Sequence, residues 1–97
     1  MITSKQRAYL RSLSQSLDTI FQIGKGGVTD EICLQINNAL EARELVKLTV
    51  LENSGEDPRE VLNALCEALG AEGVSAVGRK IVLYRESKEK KTIELPK

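Results

Sequence analysis

The stretch "TIFQIGKGGVTDEICLQI", residues 19–36, decides the fold class. Thr19, Ile20, Phe21 and Ile23 are β-branched or aromatic, so "TIFQI" predicts a short strand. Thr29 is placed as a helix N-cap, and Asp30 and Glu31 fall in the first turn, where negative charge suits the helix dipole. Ile32, Ile36, Ala39, Leu40 and Arg43 then trace one helix face. Between strand and helix lies Gly24-Lys25-Gly26-Gly27. Strand, glycine loop and helix in succession are the building unit of an α/β domain.

Downstream, "ELVKLTVLE" (44–52) alternates. Val46, Leu48 and Val50 point one way, and Leu45, Lys47, Thr49 and Leu51 the other, as in a strand with one strongly apolar face. Asp57 caps a third helix, Pro58 takes its first position, and Glu60 stands at capping-box spacing. Leu62, Leu65 and Leu69 carry that helix to Gly70. "GVSAV" (73–77) and "KIVLYR" (80–85) flank Gly78-Arg79 and predict a hairpin. Upstream, Thr3 or Ser4 caps a first helix reaching about Leu17, with a narrow stripe of Leu10, Leu13 and Leu17. Arg7, Arg11 and Ser14 share another face of it. The order is α-β-α-β-α-β-β, a two-layer α/β domain over residues 1–85 with a four-stranded mixed sheet and two right-handed crossovers. Residues 86–97, "ESKEKKTIELPK", are expected as a mobile charged tail in which "TIEL" could add an edge strand.

A chain of 97 residues fits one domain with one modest core. With 41 % apolar and 29 % charged residues, folding rather than disorder is expected. No apolar run approaches the roughly 18 residues of a membrane span. "MITSKQRAYLRSL" lacks a signal-peptide core, so the cytoplasm is the expected location. Cys33 and Cys66 fall in predicted helices and the chain has no histidine. That pattern argues against a Cys/His metal site and removes the commonest general base. Two buried, reduced thiols and no cofactor are expected.

Net charge is zero but unevenly spread. Residues 1–26 hold four bases against one acid, residues 27–73 three against ten, and residues 74–97 seven against three. Two basic ends could assemble a polyanion-binding patch with the glycine loop, leaving the acidic middle to face away.

The loop itself admits several readings. A nucleotide-hydrolysing phosphate loop needs a second lysine followed by Ser/Thr, whereas Thr29, Asp30 and Glu31 stand there instead. The G-x-G-x-x-G dinucleotide fingerprint is absent. A tight strand-to-helix turn and a Gly-x-x-Gly nucleic-acid clamp both remain. In the clamp, glycines admit a sugar-phosphate chain close to the backbone and Lys25 supplies charge, with the helix dipole weakened by Asp30 and Glu31.

Four ordered motifs weigh toward the clamp: "ITSKQRAYLR" (2–11), "IGKGGVT" (23–29), "ALEARELVKL" (39–48) and "GRKIVLYR" (78–85). Together they resemble the CRM domain, the family named for chloroplast RNA splicing and ribosome maturation, and within it the bacterial stand-alone YhbY-like proteins. "LSQSLDT" (13–19) replaces a segment that often carries a histidine and a proline in relatives, so no role of that histidine carries over. The resemblance implies a fold similar to the C-terminal domain of translation initiation factor three with an added N-terminal helix. It also implies RNA binding without catalysis, on precursors of the large ribosomal subunit, with Gly24, Lys25, Gly26 and Gly27 as the RNA-contacting loop.

The basic residues in the matching segments, Lys5, Arg7, Arg11, Arg79 and Lys80, complete the expected RNA surface of a monomeric protein, with Arg85 a further candidate. Strand alternation separates Lys80, Val82 and Tyr84 from Ile81, Leu83 and Arg85, so these residues are not equivalent. Tyr84 is expected in the core rather than stacked on a base. A competing reading is a protein-interaction or regulatory module that uses the acidic surface of residues 52–72. An enzyme is disfavoured because no nucleophile–base pair or metal set is present.

Overall fold

Side-chain caps set where the helices begin. In the computed structural model, which describes residues 2–97, α1 spans Ser4–Ser14, α2 Asp30–Arg43 and α3 Pro58–Leu69. Thr3 accepts from the Gln6 amide and the Gln6 side chain answers the Thr3 N–H, a complete capping box. Thr29 and Asp57 cap the other two helices through Ile32 N–H and Glu60 N–H. Each such cap contributes about 1 kcal/mol. α1 ends earlier than its leucine stripe predicts because the Ser14 and Ser16 hydroxyls donate to the carbonyls of Arg11 and Leu13. Serine competes in this way with helix propagation.

The strands are β1 (Phe21–Ile23), β2 (Leu45–Val50), β3 (Glu72–Val77) and β4 (Lys80–Tyr84), in the sheet order β1-β2-β4-β3. β1 and β2 pair in parallel through α2, and β4 pairs antiparallel with both β2 and β3. A single 3-10 turn, Glu52–Ser54, joins β2 to α3. The β3–β4 turn has positive φ at Gly78.

The sheet's alternation divides the core. Val46, Leu48, Val50, Ile81 and Leu83 pack against Ile36 and Leu40 of α2 and Leu65 of α3. Leu45, Val74, Val82 and Tyr84 point to the other face, where α1 seats Leu10 at 0 % exposure. Burying one such leucine contributes about 2 kcal/mol. The expected element order and mixed sheet are therefore present, and α1 adds a partial third layer.

Residues 86–97 differ from a free charged tail. They form no strand, yet Ile93 and Leu95 pack into the core under α1. The buried Glu44 carboxylate accepts from the N–H groups of Ser87, Thr92 and Ile93 at 2.8, 2.7 and 2.8 Å, and Gln6 Nε2 donates to Pro96 O. The amides that an edge strand at "TIEL" would need are thus committed to a carboxylate at the α2–β2 junction.

Candidate nucleic-acid interface

β1 and β2 run parallel, so their C-terminal ends lie at the same end of the sheet, and the β3–β4 turn joins them there. Three connections meet at this end: Gly24–Gly27, residues 51–57, and Gly78-Arg79. Gly27 N donates to Gly24 O at 2.9 Å, which closes a β-turn with Lys25 and Gly26 at its exposed centre. Leu51 N donates to Ile23 O at 2.9 Å and holds the second connection against the first.

The glycines are not equivalent. Gly27 has φ +64°, and a Cβ there would stand 2.8 Å from Glu56 Oε1. Alanine at Gly27 is expected to cost about 1–2 kcal/mol in urea denaturation. A Cβ at Gly24 would meet only Leu51 Cδ1 at 3.8 Å, and one at Gly26 only Thr29 Cγ2 at 3.6 Å, both ordinary contacts without positive φ. Alanine at Gly26 is expected to leave the unfolding midpoint unchanged. Of the three glycines, only Gly27 is required by the turn's backbone; Gly24 and Gly26 have room for a side chain and leave the backbone beside Lys25 bare.

Arg79 lies at this end, but its fork is turned inward. Its Nε donates to Val50 O at 2.8 Å, and Nη2 to Leu51 O and Glu56 O at 2.9 and 3.0 Å. It binds the hairpin to the 51–57 connection and so supports the glycine loop from behind. Arg85 is similarly engaged, donating to Asn37 Oδ1, Leu69 O and Asn37 O.

The remaining predicted cations separate. Arg11 and Lys80 line one hollow on the α1 side of the sheet, together with Lys47. Arg7 donates through Nε to Gly73 O and lies beside Arg59 along the β3 edge. Lys5 is at the opposite end of the sheet, where its ammonium donates to the Lys97 carbonyl. A single patch of all these residues does not form.

Lys47 and Arg59 escaped the sequence reading because they sit in the acidic middle of the chain. The signal for Lys47 was its place in the alternation of β2, on the face that Lys80 occupies in β4. The acidic middle does not all face away either: Glu56 lies against Gly27, whereas Glu72 accepts from Ile2 N at the far end.

Among the described residues no cluster of His, Cys, Asp and Glu could hold a metal ion, and no helix is long and apolar enough to cross a membrane. Burial, reinforced by the Glu72 charge, pushes the Cys66 thiol up to about 11. It therefore stays protonated at neutral pH and is a poor nucleophile.

A glycine loop at the end of a four-stranded mixed sheet, presented beside a helix-covered sheet face, defines a domain class. The CRS1 / YhbY (CRM) domain profile matches residues 2–85. The chain belongs to that family. It is 52 % identical over 96 residues to the probable RNA-binding protein YqeI of Bacillus subtilis, covering 99 % of this chain and all of that one. An RNA-binding protein of Haemophilus influenzae is 33 % identical, with 99 % and 96 % of the two chains covered. The solution structure of a hypothetical protein from Staphylococcus aureus superposes with a TM-score of 0.84 at 52 % identity, over 99 % of this chain and all of that one.

Proposed function

We propose that the protein is a non-catalytic RNA-binding ribosome-assembly factor. It acts as a cytoplasmic monomer on large-subunit precursor ribosomal RNA, which it grips through Gly24-Lys25-Gly26-Gly27. The observation that carries this reading is the bare backbone at Gly24 and Gly26, which the fold does not require, beside an exposed lysine at the turn's tip. Such a surface lets a phosphate approach N–H groups and a cation together. The names of the relatives support RNA as the partner class. The acidic-surface alternative rests on exposed Glu60 and Glu67 of α3, and neither named relative supports it by its name.

Lys25→Glu is expected to weaken binding to structured ribosomal RNA at least tenfold, with an unchanged unfolding midpoint. The log–log salt slope should fall by roughly 0.7–0.9, the share of one phosphate. Gly26→Ala should weaken binding without altering charge. On a sucrose gradient, the wild-type protein should co-migrate with large-subunit precursors until ribonuclease is added. Equal affinity of wild type and both loop variants would sink the loop assignment, and ribonuclease-resistant co-migration would favour a protein partner.

A further inference from the structure

The α1 side of the sheet carries a second cationic feature that the loop does not explain. β2, β4 and β3 form a grid there. Lys47 faces Val82, which faces Ser75, and in the next row Thr49 faces Lys80, which faces Val77. Lys47 and Lys80 are diagonal neighbours, about 7–8 Å apart at the backbone. Arg11 reaches over this grid from α1, and Ser14 and Gln15 close the side.

The result is a hollow of about 170 Å³ whose lining holds three cations and no carboxylate. Lys47 donates to the Ser14 carbonyl at 3.3 Å, which fixes its ammonium at the α1 C-terminus. Arg11 and Lys80 are exposed, and among the described residues neither side chain has a hydrogen-bond or ion-pair partner. Val77, 72 % exposed, offers an apolar surface at the rim. Lys80 begins β4 at the sheet end where the glycine loop stands. β1 and β4 are two strand spacings apart, or about 10 Å.

Three converging cations without a counter-charge, next to one exposed apolar side chain, suit a phosphate joined to a sugar or base. We propose that this hollow is a second phosphate-binding site for single-stranded RNA. It takes the backbone of a strand that passes from the glycine loop over the β3–β4 turn, and Lys47, Lys80 and Arg11 are its ligands. This rests on the RNA reading of the loop but concerns a separate surface.

The test uses the full chain and two single-stranded RNA probes in fluorescence anisotropy. One is of roughly four nucleotides, the span a Gly-x-x-Gly loop clamps. The other is of roughly twelve, within the range of extended single-strand sites. The double variant Arg11→Gln/Lys80→Gln should bind the long probe about tenfold more weakly. Its salt slope should be lower by about 0.7 for each phosphate that is no longer neutralised. Its affinity for the short probe should match wild type. Both substitutions are on the surface, so the unfolding midpoint should hold. Lys47→Gln, which keeps the stem, should likewise weaken the long probe alone. If the long probe binds the double variant as it binds wild type while Lys25→Glu weakens both probes, the hollow is not a site and the loop reading stands. If neither set of variants alters binding, both readings fall.

Discussion

Arg79→Met is expected to destabilise the protein by about 3 kcal/mol, because hydrogen bonds to a charged donor contribute roughly 1.5–3 kcal/mol each and water can replace some of them. The guanidinium joins three carbonyls, at Val50, Leu51 and Glu56, and so ties the end of β2 to the connection that follows it. Methionine keeps the stem's packing and removes all three donors. Arg79→Lys isolates geometry from charge: one ammonium cannot span the three carbonyls, so about half the loss should remain. The check is urea denaturation of wild type and both variants. Amide chemical shifts should also move at Gly24–Gly27, since residues 51–56 back that loop through Leu51 and Glu56. A lysine variant as stable as wild type would mean that charge alone matters at this position, and the supporting role of Arg79 would fall.

Glu44→Ala is the second large effect, again about 3 kcal/mol. Glu44 is fully buried, and its carboxylate takes the N–H groups of Ser87, Thr92 and Ile93 as well as the Thr92 hydroxyl. Without it those amides lose their acceptor, and Ile93 and Leu95 lose the clasp that holds them under α1. Proteolysis within residues 86–97 should accelerate. Glu44 also has φ +66°, costly for a residue with a side chain. Glu44→Gly should therefore lose about 1 kcal/mol less than Glu44→Ala. Equal losses would show that the backbone there carries no strain.

The same carboxylate makes stability depend on pH. Burial acts to raise its pKa, but the hydrogen bonds from Ser87, Ile93 and Thr92 outweigh burial and leave it below the usual 4.5. A folded-state pKa below the unfolded one means that the unfolded chain binds the proton more readily. The contribution is thus fully present above the usual carboxylate value and is lost as pH falls through the depressed one. Glu44→Gln should flatten this acid limb in a series of urea midpoints taken downward from neutral pH. An acid limb that Glu44→Gln leaves unchanged would assign it to other carboxylates, such as Glu41, which its bonds from Lys88 N and Ser87 Oγ also hold below the usual value.

Much of the fold was legible because its signals are local. Thr3, Thr29 and Asp57 cap helices through amides three residues on, and β2 alternates residue by residue. The hairpin at Gly78-Arg79 and the Gly24–Gly27 turn are equally short-range. Glu44 gave no such signal. Its partners lie 43 to 49 residues away, and an acid at the end of a helical pattern reads as a surface charge. The tail looked mobile for the same reason, since its anchoring acceptor is nowhere near it in the chain.

The candidate site was legible in its residue types and less so in their grouping. Counting charge by segment placed Lys47 with the acids, but a strand inside an acidic segment can present its one cation to a basic face. Arg79 and Lys80 are adjacent in sequence and take opposite parts, one turned onto carbonyls, the other into solvent.

What the sequence alone determined is the order of elements, the family, and the glycine loop with Lys25 at its tip, because periodicity, caps and motifs are written in neighbouring residues. Only the tertiary structure decided which glycine the turn needs, which cations are free to meet a ligand, and that Lys47 joins Arg11 and Lys80. Those outcomes depend on strand register and on carbonyls brought together across the sheet end, and no local pattern encodes either.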